Sequence, residues 1–99
     1  MALSEKQLRY LRGKAHGLKP VILVGQKGLT DNVVAETLQA LRVHELIKVR
    51  VRAADRSQRE ATLAELVQRS ECVLVTRIGH VAVLYRAAVP VPRLVLPDP

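Results

Sequence analysis

The sequence predicts a single α/β domain whose three helices and four strands follow the order α-β-α-β-α-β-β. Three observations carry that prediction. Apolar residues recur at helical spacing in three segments, each opened by a Ser, Thr or Asp able to cap it. Short apolar runs of strand length separate those segments, and the last two close around Gly79-His80 as a hairpin. Ninety-nine residues, 48% of them hydrophobic, suffice for one core and leave no room for a second domain.

Leu3-Ser4-Glu5-Lys6-Gln7-Leu8 is a helix start: Ser4 can cap, Gln7 can reciprocate three residues on, and Leu3 can staple onto Leu8. Leu8, Leu11 and Ala15 form the apolar stripe, Lys6, Arg9 and Lys14 fall elsewhere, and Gly13 or Gly17 ends the helix. Those cations fit either an ordinary solvated face or one wall of a nucleic-acid surface.

Pro20 breaks the chain, and Val21-Ile22-Leu23-Val24 reads as a strand buried on both faces. It empties through Gly25-Gln26-Lys27-Gly28 into a second helix that Thr30 or Asp31 can cap. Glycines let a ligand approach the backbone, and helix amides with the macrodipole favour an anion, so the turn with Lys27 at its tip suits phosphate. A bare G-x-x-G is more often a tight strand-to-helix turn with two positive-φ glycines, and it is the buried strand before it, Lys27, Lys19 and the basic chain that favour phosphate here. It lacks the longer G-x-x-x-x-G-K-[ST] and the third glycine of a dinucleotide site, and so suits one or two phosphates of a polymer.

The second helix runs from Asp31 to about His44, with Val34, Leu38 and Leu41 on one face. In Leu46-Ile47-Lys48-Val49-Arg50-Val51-Arg52, Ile47, Val49 and Val51 supply a buried face while Lys48, Arg50 and Arg52 line the other. Like charges in register repel, which favours a functional patch over a merely solvated face. Asp55 caps a third helix to about Arg69, with Leu63, Ala64 and Val67 on its packing side and Leu66 at the margin. Its acids and bases are evenly mixed, which marks packing. Cys72 to Ile78 and Val81 to Arg86 form the hairpin strands, Tyr85 being a core aromatic, and the four prolines after Ala88 predict an extended tail.

Net charge is +7 with a pI near 10.3, which implies an anionic partner or serves solubility. Residues 1–28 carry six basic side chains against Glu5 alone, a balance of +5. The single cysteine, Cys72, forms no internal disulfide and reads as a small core residue. His16, His44 and His80 are isolated, so no metal site is expected, and no apolar run approaches a membrane span, which predicts a cytoplasmic protein. With no Trp, no Phe and two Tyr, platforms for stacking bases are nearly absent.

These residues resemble a known family. Leu3-Ser4, Gln7-Leu8, Lys19-Pro20-Val21, Val24 through Thr30, His44 through Val49 and Val83 through Arg86 are similar to the YhbY-like stand-alone CRM domains of bacteria, RNA-binding proteins associated with precursors of the large ribosomal subunit. The resemblance spans residues 3 to about 86, and the combination is specific although no single piece is. It implies a four-stranded mixed sheet packed with three helices, similar to the C-terminal domain of translation initiation factor three. It also implies that Gly25, Gln26, Lys27 and Gly28 contact RNA, and that there is no enzymatic activity. Proline-rich and carrying only Arg93, the tail after Arg86 departs from the basic character expected of the family.

The expectation is therefore a non-catalytic RNA-binding domain over residues 1–87 with a tail over 88–99, needing no cofactor, metal or small-molecule substrate. Lys14, Lys19, Lys48, Arg50 and Arg52, together with Arg12, would extend the surface around the glycine turn. A small phosphate-binding enzyme is the first alternative, but the chain shows no evident magnesium ligand and no Ser or Thr after a loop lysine. A protein-interaction adaptor whose charge serves solubility is the second.

Overall fold

Each helix starts where a side-chain oxygen takes up its free amides. Ser4 accepts from the Gln7 amide while Gln7 Oε1 accepts from the Ser4 amide, a complete capping box that opens α1 (Glu5–Ala15). Thr30 accepts from the Val33 amide at the head of α2 (Asp31–His44), and Asp55 from the Gln58 amide at the head of α3 (Arg56–Ser70). Between and after them lie β1 (Pro20–Val24), β2 (Leu46–Val51), β3 (Val73–Ile78) and β4 (Val81–Tyr85), in the order the sequence predicts. The computed structural model describes residues 2–99.

The strands form one mixed sheet in the order β1-β2-β4-β3. β1 pairs with β2 in parallel, and β4 pairs antiparallel with both β2 and β3. Gly79, at φ +59, supplies the positive φ of the hairpin turn between β3 and β4. One face carries Ile22, Val24, Ile47, Val49, Val51, Ala82 and Leu84 against α2 and α3. The opposite face carries Leu46, Val75, Val83 and Tyr85 against Leu11 and Ala15 of α1.

Two expectations about burial need correction. β1 is not buried on both faces: Ile22 and Val24 are, but Val21 and Leu23 are 53% and 52% exposed. The cause is coverage. β1 lies at the sheet edge, and α1 packs on residues of β2, β4 and β3, leaving that face of β1 open. In α3 the packing face centres on Leu63 and Leu66, both buried, whereas Ala64 is exposed.

The segment after β4 lies against the second core through Leu94 and Leu96. It is anchored by Glu45, which ends α2 at φ +62 and is 1% exposed. The Glu45 carboxylate accepts from the amides of Ala88 (2.6 Å), Arg93 (3.0 Å) and Leu94 (2.8 Å). The Arg93 guanidinium in turn donates to the carbonyls of Arg42 and Val43, satisfying the end of α2. Further on, the Gln7 side chain donates to the Pro97 carbonyl.

Candidate functional site

The chain leaves β1 through a tight turn in which the Gly28 amide donates to the Gly25 carbonyl at 3.1 Å. Gln26 and Lys27 occupy its exposed tip. The two glycines have different reasons to be there. Gly28 sits at φ +89, a conformation that side-chain-bearing residues rarely adopt. Gly25 has no positive φ, and a Cβ added to it would meet nothing within 4 Å. Only one glycine of the pair is demanded by the backbone, not the two that a purely structural turn would require.

Beside this turn stands β2. The Arg52 amide donates to the Val24 carbonyl, which places the Arg52 backbone at the mouth of the Gly25–Gly28 turn. Arg50 lies alongside Leu23, and Arg50 and Arg52 are both exposed. Lys48 lies alongside Pro20 at the other end of β1 and is half-buried. Lys48 shares a groove of about 440 Å³ with Lys14, Lys19, Leu18, His44 and Leu94. Lys14 also stands 5.6 Å from the centre of the Tyr10 ring. Lys19 and the glycine turn are thus at opposite ends of β1, roughly 20 Å apart along the strand. The β2 cations bridge the interval between them.

Arg12 is not part of this line. Two residues from Lys14 it projects from another flank of α1, where it pairs with Glu5 at 3.4 Å. Asp31 follows the cap, and the guanidinium of Arg69 reaches it at 2.6 Å, which raises the arginine's pKa further. Among the described residues, no carboxylate lies within 4 Å of the charged groups of Lys14, Lys19, Lys27, Lys48, Arg50 or Arg52. Burial pushes the Cys72 thiol and the Tyr85 phenol up, so both stay neutral at physiological pH. Among the described residues no group of three or more His, Cys, Asp or Glu side chains is placed to hold a metal ion, and no helix is long and apolar enough to cross a membrane.

Sequence reasoning missed Glu45 and the tail. Burial alone would push the Glu45 carboxyl up, but the amides of Ala88, Arg93 and Leu94, with the Arg93 charge, hold it below the usual 4.5. Its amide partners lie more than forty residues away, and nothing local in His44-Glu45-Leu46 marks a buried anion. The consequence for the site is direct, because the tail's Leu94 forms part of the basic groove.

Residues 3–86 match the model of the CRS1 / YhbY (CRM) domain. The chain is 46% identical over 84 residues to a Haemophilus influenzae protein named RNA-binding protein, covering 85% of each. It is 45% identical over 86 residues to a "Probable RNA-binding protein" of Pseudomonas aeruginosa, covering 87% of this chain and 83% of the other. The solution structure of a hypothetical Staphylococcus aureus protein, considered a candidate RNA binder, superposes with a TM-score of 0.82 at 31% identity, over 97% of this chain and all of that one. With the expected fold in place and the glycine turn, the β2 strand and the Val83–Arg86 segment all inside the matched range, the chain belongs to the CRS1 / YhbY (CRM) domain family.

Proposed function

We propose that this protein is a non-catalytic binder of structured RNA, acting on ribosomal RNA in large-subunit precursors in the cytoplasm. The observation that carries this is the run of cations without acidic partners, from Lys14 and Lys19 through Lys48, Arg50 and Arg52 to Lys27. Leaving like charges uncompensated on one flank costs repulsion, which a phosphate polymer offsets. The family, and the RNA-binding names of its relatives, support the same conclusion.

In this mechanism the turn approaches one phosphate closely, helped by the missing Cβ at Gly25, and Lys27 neutralises it. Gln26 offers an amide side chain at the same tip. Arg52, Arg50 and Lys48 then follow the backbone along β2 towards Lys19 and Lys14, while Arg12 adds only to the long-range field. The family domain over residues 1–87 supplies the RNA-binding cations, and the tail over 88–99 adds Leu94 to the wall of the basic groove. Shape and phosphate contacts dominate over base identity, because the sheet offers no exposed aromatic platform.

The double substitution Lys19→Ala/Lys27→Ala tests the two ends of the run. Titrated against precursor large-subunit RNA, it should lower the slope of log affinity against log salt by about 2 and weaken binding about tenfold or more, with the fold intact. Unchanged affinity would sink the assignment of the turn. Sedimentation of a lysate through a sucrose gradient tests the target: the protein should travel with large-subunit precursors at low salt and leave them at high salt. Protein confined to the top of the gradient at low salt would remove the ribosomal target.

A further inference from the structure

α1 covers only part of its face of the sheet, and what it leaves bare is not uniformly cationic. Leu23 pairs with Arg50, Arg50 with Val81, and Val81 with Ile78, so one residue from each strand falls in a line across the sheet. All four lie on the face away from α2 and α3, since their register neighbours Ile22, Val49 and Ala82 point into the other core. Leu23 is 52% exposed, Ile78 76%, Arg50 is exposed and Val81 half-buried. One register position further, Val83 is already buried against α1. Strands about 4.8 Å apart make the row roughly 14 Å long.

Three apolar side chains around one arginine with no carboxylate partner are a poor match for the outside of an RNA duplex, which presents phosphates and hydroxyls. Unpaired nucleotides are a better match, because they offer base faces to aliphatic side chains and phosphates to arginine from one strand. Charge favours nucleic acid over a neutral partner: at the β1–β2 edge Leu23 and Arg50 share a groove with Arg52, whose amide donates to the Val24 carbonyl at the mouth of the glycine turn. We infer that the row Leu23–Arg50–Val81–Ile78 seats unpaired nucleotides flanking the RNA held at the turn, on the Arg50 guanidinium and aliphatic side chains rather than on aromatic rings. This rests on the RNA-binding function proposed above and adds to it a substrate class, a junction between structured and unpaired RNA.

The test compares an unstructured oligoribonucleotide with a duplex of the same length, using the full chain and the double substitution Leu23→Ser/Ile78→Ser. Affinity for the unpaired RNA should fall about tenfold, the duplex should stay within about twofold, and the salt slope should not change because no charge is removed. Equal affinity of variant and parent for the unpaired RNA, or parallel losses on both RNAs, overturns the inference. Methyl NMR of the unsubstituted protein gives a second readout independent of the variant's folding: Leu23, Val81 and Ile78 methyl signals should move with the unpaired RNA and not with the duplex. Methyls that stay still while the duplex binds sink the seat alone. Failure of the parent to bind either RNA sinks the RNA-binding function with it. Methyls that shift only with protein concentration assign the row to a second copy of the chain.

Discussion

The α3 flank and the β1–β2 flank both carry several cations, but only one has spent them. On α3 and its neighbour β3, Arg56 pairs with Glu60 at 3.3 Å, Arg77 with the same Glu60 at 2.8 Å, and Arg69 with Asp31 and Glu65. Arg59 lies 3.2 Å from the ring of His80. On the other flank, Lys14, Lys19, Lys27, Lys48, Arg50 and Arg52 have no such partner among the described residues. Exposed ion pairs contribute little stability, so the pairing on α3 is not what holds the fold together. What it does is cancel the field. The cations of the β1–β2 flank therefore keep their field for an anion, whereas those paired around α3 largely do not.

The sharpest way to break that contrast is to remove charge from each flank in turn. Lys48→Gln/Arg50→Gln/Arg52→Gln should weaken RNA binding by about a hundredfold and lower the salt slope by nearly 3, with thermal stability unchanged or slightly raised as repulsion is relieved. Arg56→Gln/Arg69→Gln should leave affinity within about twofold. Fluorescence titration at several salt concentrations reads both. Similar losses from the two variants would mean that pairing does not decide which cations bind.

Glu45 sharpens the contrast from inside. It lies between His44 and Leu46, which both line the basic groove, yet its carboxylate is turned to the amides of the tail and cannot neutralise Lys14, Lys19 or Lys48. Glu45→Ala should cost about 2–4 kcal/mol, since it strands buried amide donors and frees Arg93. For a chain of this size that lowers the melting temperature by roughly 10 °C or more. The pH dependence has a definite sign. The folded pKa is depressed below the usual 4.5, so the stabilisation is complete above about pH 4.5 and is lost as pH falls through the lower folded value. The alanine variant should lose this segment of the acid-unfolding profile, and a parallel profile would refute the role given to Glu45.

How much of this was legible in the sequence depends on whether the cause was local. Caps at Ser4 and Asp55 and the positive-φ turn at Gly79 act within a few residues and could be read directly, whereas at α2 the sequence left Thr30 and Asp31 open and the structure gives the cap to Thr30. So could the alternation that exposes Arg50 and Arg52. Strand order could not, and it is strand order that makes β1 an edge and leaves Val21 and Leu23 uncovered. Glu45 illustrates the same limit, because its burial depends on a tail that returns from the end of the chain. Pairing of the α3 cations was foreshadowed by the even mixture of charges there, but the identity of the partners, Asp31 for Arg69 above all, required the fold.

Within the turn itself the two glycines repeat the contrast between structure and binding on a smaller scale. Gly28→Ala forces a side chain into φ +89 and should cost about 1–2 kcal/mol of stability. Gly25→Ala meets open space and should melt within about 1 °C of the parent while binding RNA several-fold more weakly. A Gly25→Ala protein that binds as well as the parent would show that close backbone approach is not what the first glycine provides.

The smallest effect is expected where the charges are best paired. Glu60 accepts from Arg77 and from Arg56, and Arg77 chiefly holds its carboxyl below the usual range. Glu60 is nonetheless solvated, and water and salt screen both contacts, so Glu60→Gln should shift the melting temperature by no more than about 2 °C. Its effect on binding is more informative than its effect on stability. The substitution releases two arginines on the flank that was neutral, and if free cations are what RNA finds, non-specific affinity at low salt should rise slightly and the salt slope with it. No rise, with Arg56 and Arg77 now unpaired, would mean that position on the β1–β2 flank matters beyond mere freedom from acids.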